Sequence, residues 1–443
     1  MEFMHSFICG CGRTHVCPVR EVLIGHDVIR NVPRLLAGFK RVLIVSDIHT
    51  RPLVFQELSE ALFSAGIVFD EVFFDQPDVL IPDEAAIDRI RECLTAGTEG
   101  SPYNALIGIG SGVINDLCKY TSYQADLPYM IIATAPSMDG FASVGAALIL
   151  KGMKVTLNAH VASWIIGDTR ILKDAPMDMI RAGIGDILGK YSCLNDWKLA
   201  HVITGEHFCQ TIYDMTMKEV LKTRNNIKGC INREETAVGD LMESLVMVGV
   251  AMAYMGNSRP ASGSEHHFSH FFEITGVAFH EPYLAHGIDV AYSSILTACL
   301  RQMLLETDPA SFCYSFDERG WEEEVRKVYR VLAPEVIALQ KKAGLYQRND
   351  LSVILAYWQK IQRILSDAPS ADETIQLLAQ AGYDLKEFAS FYGEDRIRTA
   401  IRWAKDLKDR YTVLWLLENI GLLKAFAEQL NLSIYKPASS GVE

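Results

Sequence analysis

The chain has 443 residues, too long for one ordinary domain and comfortable for two, each able to bury a core without disulfides. With 55 Asp and Glu against 42 Lys and Arg, its net charge of −13 leaves no basic face for phosphate backbones or anionic lipid, so nucleic-acid and membrane partners are not expected. Ten thinly spread cysteines fit reduced thiols, and the start Met1-Glu2-Phe3-Met4 lacks the pattern of a secretory signal, so a cytoplasmic protein is expected.

Near the N-terminus, Cys9, Cys11, His15 and Cys17 place soft ligands at close spacing, a candidate zinc site. The Cys-x-Cys spacing is tighter than a usual finger knuckle, and the segment also reads as the start of a strand hairpin. From Lys40 to about Ala133, apolar β-rich runs alternate with helix-length segments. Lys40–Asp47 reads as a buried strand because its apolar core is continuous. A helix over Val54–Ala65, a run at Ile67–Phe74, a helix opening at Pro82-Asp83-Glu84, and runs at Asn104–Ile109 and Tyr129–Ala133 flanking a helix over Val113–Gln124 continue the rhythm. That rhythm predicts a parallel, Rossmann-like sheet covered on both faces.

Between Gly145 and Asp168 the pattern shifts to closely spaced short strands, including Lys154–Leu157 and Ser163–Ile166. Pro176 then heads a long helical pattern, as a first-turn proline should. The remainder reads as almost wholly helical, so an α/β domain over 1–173 is expected to precede an all-α domain over 174–443. The longest apolar helical stretch, Leu241–Met255, contains Glu243 and falls short of the roughly 20 residues a membrane span needs, which favours a buried core helix. The polar tail Pro437–Glu443 is expected to fray.

Three features carry chemistry. Gly108-Ile109-Gly110-Ser111-Gly112-Val113-Ile114-Asn115-Asp116 follows a buried strand and enters a helix, where glycines and unpaired N–H groups can receive a pyrophosphate. A tight turn is the plain alternative, and the motif sits late in the domain for a dinucleotide fingerprint. Asp47, ending the first buried strand, suits either a ribose hydroxyl or a helix N-cap. Thr134-Ala135-Pro136-Ser137-Met138-Asp139-Gly140-Phe141-Ala142-Ser143 follows another buried strand. Hydroxyls of Thr134, Ser137 and Ser143 could contact a cofactor and Asp139 a substrate hydroxyl, although such residues also simply make turns.

The third feature is Asp186 with His266, His270 and His286. One carboxylate and two imidazoles suit a divalent transition metal with an open coordination position. If Gly263-Ser264-Glu265 begins a helix, His266 and His270 share one face while His267 points about 100° away as a decoy. His270 could donate to a substrate oxygen without binding the ion.

The run Gly110–Asp116, the run Thr134–Gly140, Asp186 with the downstream Asn195–His201, and Ser258–His266 together resemble the glycerol-1-phosphate dehydrogenase family, bacterial type, from about residue 20 to 295. That family lies within the iron-dependent alcohol dehydrogenase, glycerol dehydrogenase and dehydroquinate synthase superfamily. The resemblance implies a dehydroquinate-synthase-like fold and an NAD or NADP cofactor bound by Gly112, Val113, Ile114, Asn115, Asp116, Thr134, Ser137 and Ser143. It further implies substrate contacts from Asp139 and His270, and one divalent ion, zinc or nickel, on Asp186, His266 and His286. The reaction implied is the interconversion of dihydroxyacetone phosphate and sn-glycerol 1-phosphate.

One departure separates the chain from iron-dependent alcohol dehydrogenases, whose aspartate ligand is followed four residues later by a ligating histidine. Here that position is Lys190, whose ammonium could meet a substrate phosphate; Arg259 is a second candidate, and either could instead form an ordinary salt bridge. The alternatives are a polyol dehydrogenase without a phosphate site, a lyase using NAD transiently, and a nucleotide-binding module that lost its chemistry. A homo-oligomer is expected from the long helical half.

Overall fold

The alternating rhythm of the first half closes into one parallel sheet, and a computed structural model describes residues 1–96 and 102–435 of the chain. The tail Pro437–Glu443 lies outside the described residues. The chain opens with β1 (Ser6–Ile8), β2 (Thr14–Val16), β3 (Glu21–Gly25) and α1 (Val32–Leu35). It continues with β4 (Arg41–Asp47), α2 (Arg51–Ser64), β5 (Val68–Phe74), α3 (Glu84–Ala96), β6 (Ala105–Gly110), α4 (Gly112–Gln124) and β7 (Tyr129–Ala133). Next come β8 (Gly145–Leu150), β9 (Met153–Asn158), β10 (Trp164–Asp168) and α5 (Thr169–Leu172).

Six strands pair in the order β3-β10-β7-β6-β4-β5, every pair parallel. Val42 to Val45 on β4, Ala105 to Ile107 on β6 and Met130 to Ile132 on β7 are fully buried. Each such Val, Leu or Ile stabilises the fold by roughly 1.5–3 kcal/mol relative to an exposed position. The chain steps from β4 outward to β5, then returns to β6 on the other side of β4, so the sheet reverses direction between β4 and β6. Ligands of open α/β sheets bind outside the carboxyl ends of strands at such a reversal. This explains why the glycine-rich turn comes late in the sequence: it follows β6, one of the two strands that flank the reversal.

Ser163–Ile166 does not belong with the short strands around it. β8 and β9 form a separate antiparallel hairpin with alternating exposure, whereas β10 is buried on both faces and joins the parallel sheet between β7 and β3.

The helical half begins with α6 (Met177–Thr204), α7 (Gln210–Ile231), α8 (Glu235–Met255), α9 (Ser264–Phe279) and α10 (His286–Leu305). Nine further helices follow among the described residues, from Glu318–Tyr329 to Leu423–Gln429. The compact units do not divide at 173/174. One unit comprises 1–187 and 214–258, the other 188–213 and 259–443, and the two inner divisions fall inside the unbroken helices α6 and α7. Helix α8 goes with the sheet because its small residues let backbone approach closely: a Cβ on Gly249 would meet the Asp139 carbonyl oxygen at 2.9 Å, and one on Gly239 would meet Thr169 at 3.0 Å. This helix starts six residues before Leu241. At 21 residues it is long and apolar enough to cross a bilayer, so its length does not exclude a span, but 72% of its most apolar window is buried by the protein itself.

In the second unit the buried carboxylate of Asp196 accepts from the N–H groups of Ser264 and Val413, both at 2.7 Å. Two helix starts thereby share one anion, the charge their unpaired N–H groups favour.

Candidate active site

Helices α6, α9 and α10 each present one ligand-type side chain. Asp186, fully buried, stands midway along α6; His266 lies in the first turn of α9, and His286 is the first residue of α10. Within the second unit the rings of His266 and His286 lie 5.0 Å apart, centroid to centroid. The helix start at Ser264, expected from Gly263-Ser264-Glu265, is present with Gly263 as its N-cap.

The surroundings of both imidazoles favour metal ligation. His266 Nδ1 lies 2.7 Å from Glu265 Oε1, and His286 Nδ1 lies 3.0 Å from Glu273 Oε1 and 3.1 Å from Ser269 Oγ. A carboxylate on Nδ1 fixes the tautomer and leaves Nε2 as the donor, the usual outer arrangement around metal-bound histidine. Burial pushes His266 well below its ordinary imidazole range, with the charge of Lys190 adding to the effect. Burial raises Glu265 to about 8, and Asp196 pushes it further the same way. Burial thus keeps the His266 imidazole in the neutral form that a cation needs. This donor set, one carboxylate and two oriented neutral imidazoles, fits a divalent transition metal.

Around it stand the remaining candidates. The His270 ring lies 5.6 Å from that of His286 and 5.9 Å from that of His266, centroid to centroid. His267 is fully buried and outside the metal-type clusters, as its 100° offset predicts. Lys190 is fully buried one helical turn beyond Asp186 and close enough to Glu265 and His266 to act on both. Arg259 takes the salt-bridge alternative: its Nη2 donates to Glu206 Oε2 at 2.8 Å and to the Tyr411 carbonyl at 2.7 Å.

The nucleotide-type turns divide into packing and binding parts. A Cβ on Gly110 would meet the Ile114 Cβ at 2.6 Å, and one on Gly108 would meet Cys118 Sγ at 2.9 Å, so both glycines let α4 close onto β6. Gly112 has room, with only Met138 nearby at 3.8 Å, and sits in the open first turn of α4. Ser111 Oγ and Ser137 Oγ lie 2.6 Å apart and join this turn to the loop after β7, where the Thr134 N–H donates to the Gly110 carbonyl at 3.1 Å.

Several residues assigned to the cofactor hold that loop in shape. Lys119, which no motif singles out, is fully buried and donates to the carbonyls of Gly140 at 2.9 Å and Gly145 at 2.8 Å, with Ser143 Oγ at 3.3 Å. Asp116 accepts from the Ala147 N–H at 3.1 Å, and Asn115 Nδ2 reaches the Gly140 carbonyl at 3.5 Å. The side chains of Asn115, Asp116 and Ser143 therefore face the protein interior, where their first role is positioning. A lysine at i+3 from an aspartate on a helix was the available signal, but it reads equally well as an exposed pair. Asp47 Oδ1 accepts from the N–H groups of His49 at 2.9 Å and Thr50 at 2.8 Å, which is the turn-capping alternative.

A six-stranded parallel sheet with a glycine-rich turn at its reversal, followed by a helical half that carries a pair of glutamate-held histidines, defines the class of metal-dependent NAD(P)-linked dehydrogenases. The family described as iron-containing alcohol dehydrogenase matches residues 23–176. Solved structures share the fold. Glycerol dehydrogenase from Schizosaccharomyces pombe has a TM-score of 0.58 at 13% identity over 93% of this chain and 90% of that one. An iron-containing alcohol dehydrogenase from Thermococcus thioreducens has a TM-score of 0.53 at 15% identity over 83% and 99%. Among curated relatives, glycerol-1-phosphate dehydrogenase [NAD(P)+] of Geobacillus thermodenitrificans is 30% identical over 92% of this chain and 94% of its own. That of Geobacillus stearothermophilus is 28% identical over 93% and 96%. The chain belongs to the glycerol-1-phosphate dehydrogenase family.

Proposed function

We propose that this enzyme reduces dihydroxyacetone phosphate with NADH or NADPH to sn-glycerol 1-phosphate, and runs the reverse oxidation, with Asp186, His266 and His286 as ligands of one divalent ion. The observation that supports this reading is the pairing of His266 and His286, ring centroids 5.0 Å apart, each imidazole held through Nδ1 by a glutamate side chain. When bound, the ion supplies Lewis-acid polarisation of the ketone and the reduced nicotinamide supplies the hydride.

The chain's own groups account for the rest. Glu265 and Glu273 keep the two imidazoles in the ligating tautomer. His270 is the proposed proton carrier: it loses a proton to the substrate oxygen as the ketone becomes an alcohol and takes one back from solvent. Lys190 is the proposed phosphate partner, a buried cation in a chain whose net charge would otherwise repel an anion. Asp139 is proposed to orient a substrate hydroxyl. Gly110, Gly112, Val113 and Ile114 are proposed to present the first turn of α4 to the pyrophosphate, with Thr134 and Ser137 beside it and Asp47 toward the ribose.

Zinc or nickel suits two imidazoles and a carboxylate. A reducing cytoplasmic setting is supported by ten cysteines spread thinly along the chain, and a homo-oligomer by the length of the helical half. The deciding experiment is metal analysis of the purified protein together with NAD(P)H oxidation on dihydroxyacetone phosphate and on dihydroxyacetone. About one ion on the Asp186 site and a strong preference for the phosphorylated ketone are expected. Equal use of both ketones would favour a polyol dehydrogenase, and product formation without net NAD(P)H oxidation would favour a lyase.

A further inference from the structure

Arg301 stands near the end of α10 and is only 3% exposed. Its Nη2 donates to the Pro369 carbonyl at 2.6 Å, whereas Nε and Nη1 have no partner among the described residues. The side chain lines a small cavity between α6, α10 and the helix Ala371–Gln380, whose other walls include Leu188, Ser294, Thr374, Leu377 and Leu378. All of these residues belong to the second unit. We propose that this cavity binds one monatomic anion, a chloride ion, on the Nε and Nη1 groups of Arg301.

Charge carries the argument. A guanidinium does not escape burial by losing its proton, and a buried charge is costly unless something pairs with it. Burial pulls Arg301 down to about 10, which still leaves it cationic at neutral pH, and the charges of Asp196 and Glu265 act against that pull from beyond hydrogen-bond reach. The Asp196 carboxylate is already engaged by the N–H groups of Ser264 and Val413. Among the described residues Arg301 is the one charged side chain in the cavity wall. A water there could accept an N–H but would bring no compensating charge; a halide accepts both N–H groups and neutralises the cation.

Size and frame narrow the choice. The cavity has room for about one water-sized occupant, so phosphate, sulfate and carboxylate metabolites are too large for it. Its frame is fixed by the start of the helix Ala371–Gln380. There Ser370 and Glu373 cap each other, with the Glu373 N–H on Ser370 Oγ at 3.2 Å and the Ser370 N–H on Glu373 Oε2 at 2.9 Å. The Ala371 N–H donates to Gln302 Oε1 at 3.3 Å, beside the bond from Arg301 to Pro369, so two neighbouring side chains of α10 hold that first turn. The hydroxyls of Ser294 and Thr374 donate to the carbonyls of Val290 and Ser370, both at 2.8 Å, and stay within their own helices. An anion bound only by the folded chain adds its binding free energy to the stability of this helix junction.

The test uses the full chain, dialysed free of halide into sodium sulfate. Replacing sulfate by chloride or bromide at equal ionic strength should raise the thermal midpoint by roughly 1–4 °C and saturate as the halide is titrated. Exclusion of salt from the surface predicts the reverse order, because sulfate is the stronger stabiliser by that route. Crystals grown with sodium bromide and measured at the bromine absorption edge should show an anomalous peak within hydrogen-bond reach of Arg301 Nε and Nη1. Arg301→Met should lose both the peak and the halide-dependent shift. The proposal is overturned if bromide is found elsewhere on the chain and not at Arg301, or if Arg301→Met keeps the shift. It is equally overturned if halide and sulfate give the same midpoint, since a bromide peak would then mark binding at crystal concentration only. Should Arg301→Met not fold, the bromide map and the melts of the unsubstituted chain decide the matter.

Discussion

The backbone N–H of Asp139 donates to Asp186 Oδ2 at 2.9 Å, so the loop after β7 and the carboxylate of the proposed metal site are tied by one hydrogen bond. A Cβ on Gly183, one turn earlier on α6, would fall 1.9 Å from the Pro136 carbonyl oxygen, so helix and loop touch along their backbones. Loop shape and ligand position are therefore coupled.

That coupling separates two substitutions. Asp186→Asn keeps an oxygen for the Asp139 N–H and should fold normally, yet lose its ion and about 10³-fold in kcat, the scale of several kcal/mol of lost charge stabilisation. Asp186→Ala should also raise the KM for NAD(P)H, because the loop loses its tie. Steady-state kinetics with metal analysis on both variants checks this; a D186N protein with full metal content would refute the ligand assignment.

Glu273→Gln should weaken metal affinity roughly 10–100-fold, since the amide no longer holds His286 Nδ1 as a carboxylate does. Competition with a chelator of known affinity measures it. An unchanged affinity would mean that His286 is oriented by Ser269 alone.

Lys190→Met should lower kcat/KM for dihydroxyacetone phosphate by about 10–100-fold, the worth of a charge-assisted hydrogen bond, and leave the rate with dihydroxyacetone nearly unchanged. Equal losses on both ketones would assign Lys190 a purely structural role beside Glu265.

The two glycines of the turn after β6 should respond differently. Gly110→Ala should destabilise the protein by about 1–3 kcal/mol, because its methyl would overlap Ile114 within a packed strand–helix contact. Gly112→Ala should leave the thermal midpoint nearly unchanged and raise the KM for NAD(P)H. Thermal melts paired with cofactor titration distinguish them.

Asp168 links stability to pH. Burial alone would raise its carboxyl, but hydrogen bonds and charge from Arg170, with Nε at 2.9 Å and Nη2 at 2.8 Å, outweigh it and hold the group below the ordinary carboxylate range. A depressed carboxyl stabilises the fold above its unfolded value near 4 and loses that contribution as pH falls through the folded value. Asp168→Asn should therefore cost about 2 kcal/mol at neutral pH, discounted because Arg170 is 32% exposed, and the difference from the unsubstituted protein should vanish under acid. Melting temperatures of both proteins across that range provide the check.

Much of the fold was legible because its signals are local. Continuous apolar runs marked β4, β6 and β7 to within a residue or so, Pro176 marked the start of α6, and Gly263-Ser264-Glu265 marked the start of α9. The candidate ligands Asp186, His266 and His286 were picked out by chemical type, as one carboxylate and two imidazoles in apolar, small-residue settings. What stayed hidden depends on which distant segments meet. Lys119 shows its role only once the carbonyls of Gly140 and Gly145 turn toward it, and Arg259 looks like a phosphate ligand until Glu206 is found against it. Helix α8 returns to the sheet because Gly249 admits the backbone of Asp139 and Gly239 the methyl of Thr169, which makes the first unit discontinuous in sequence. Hydrophobic period and chain-end chemistry are properties of neighbouring residues and can be read along the chain; the partners of buried charges and thiols are chosen by packing, which brings residues together without regard to their separation in sequence.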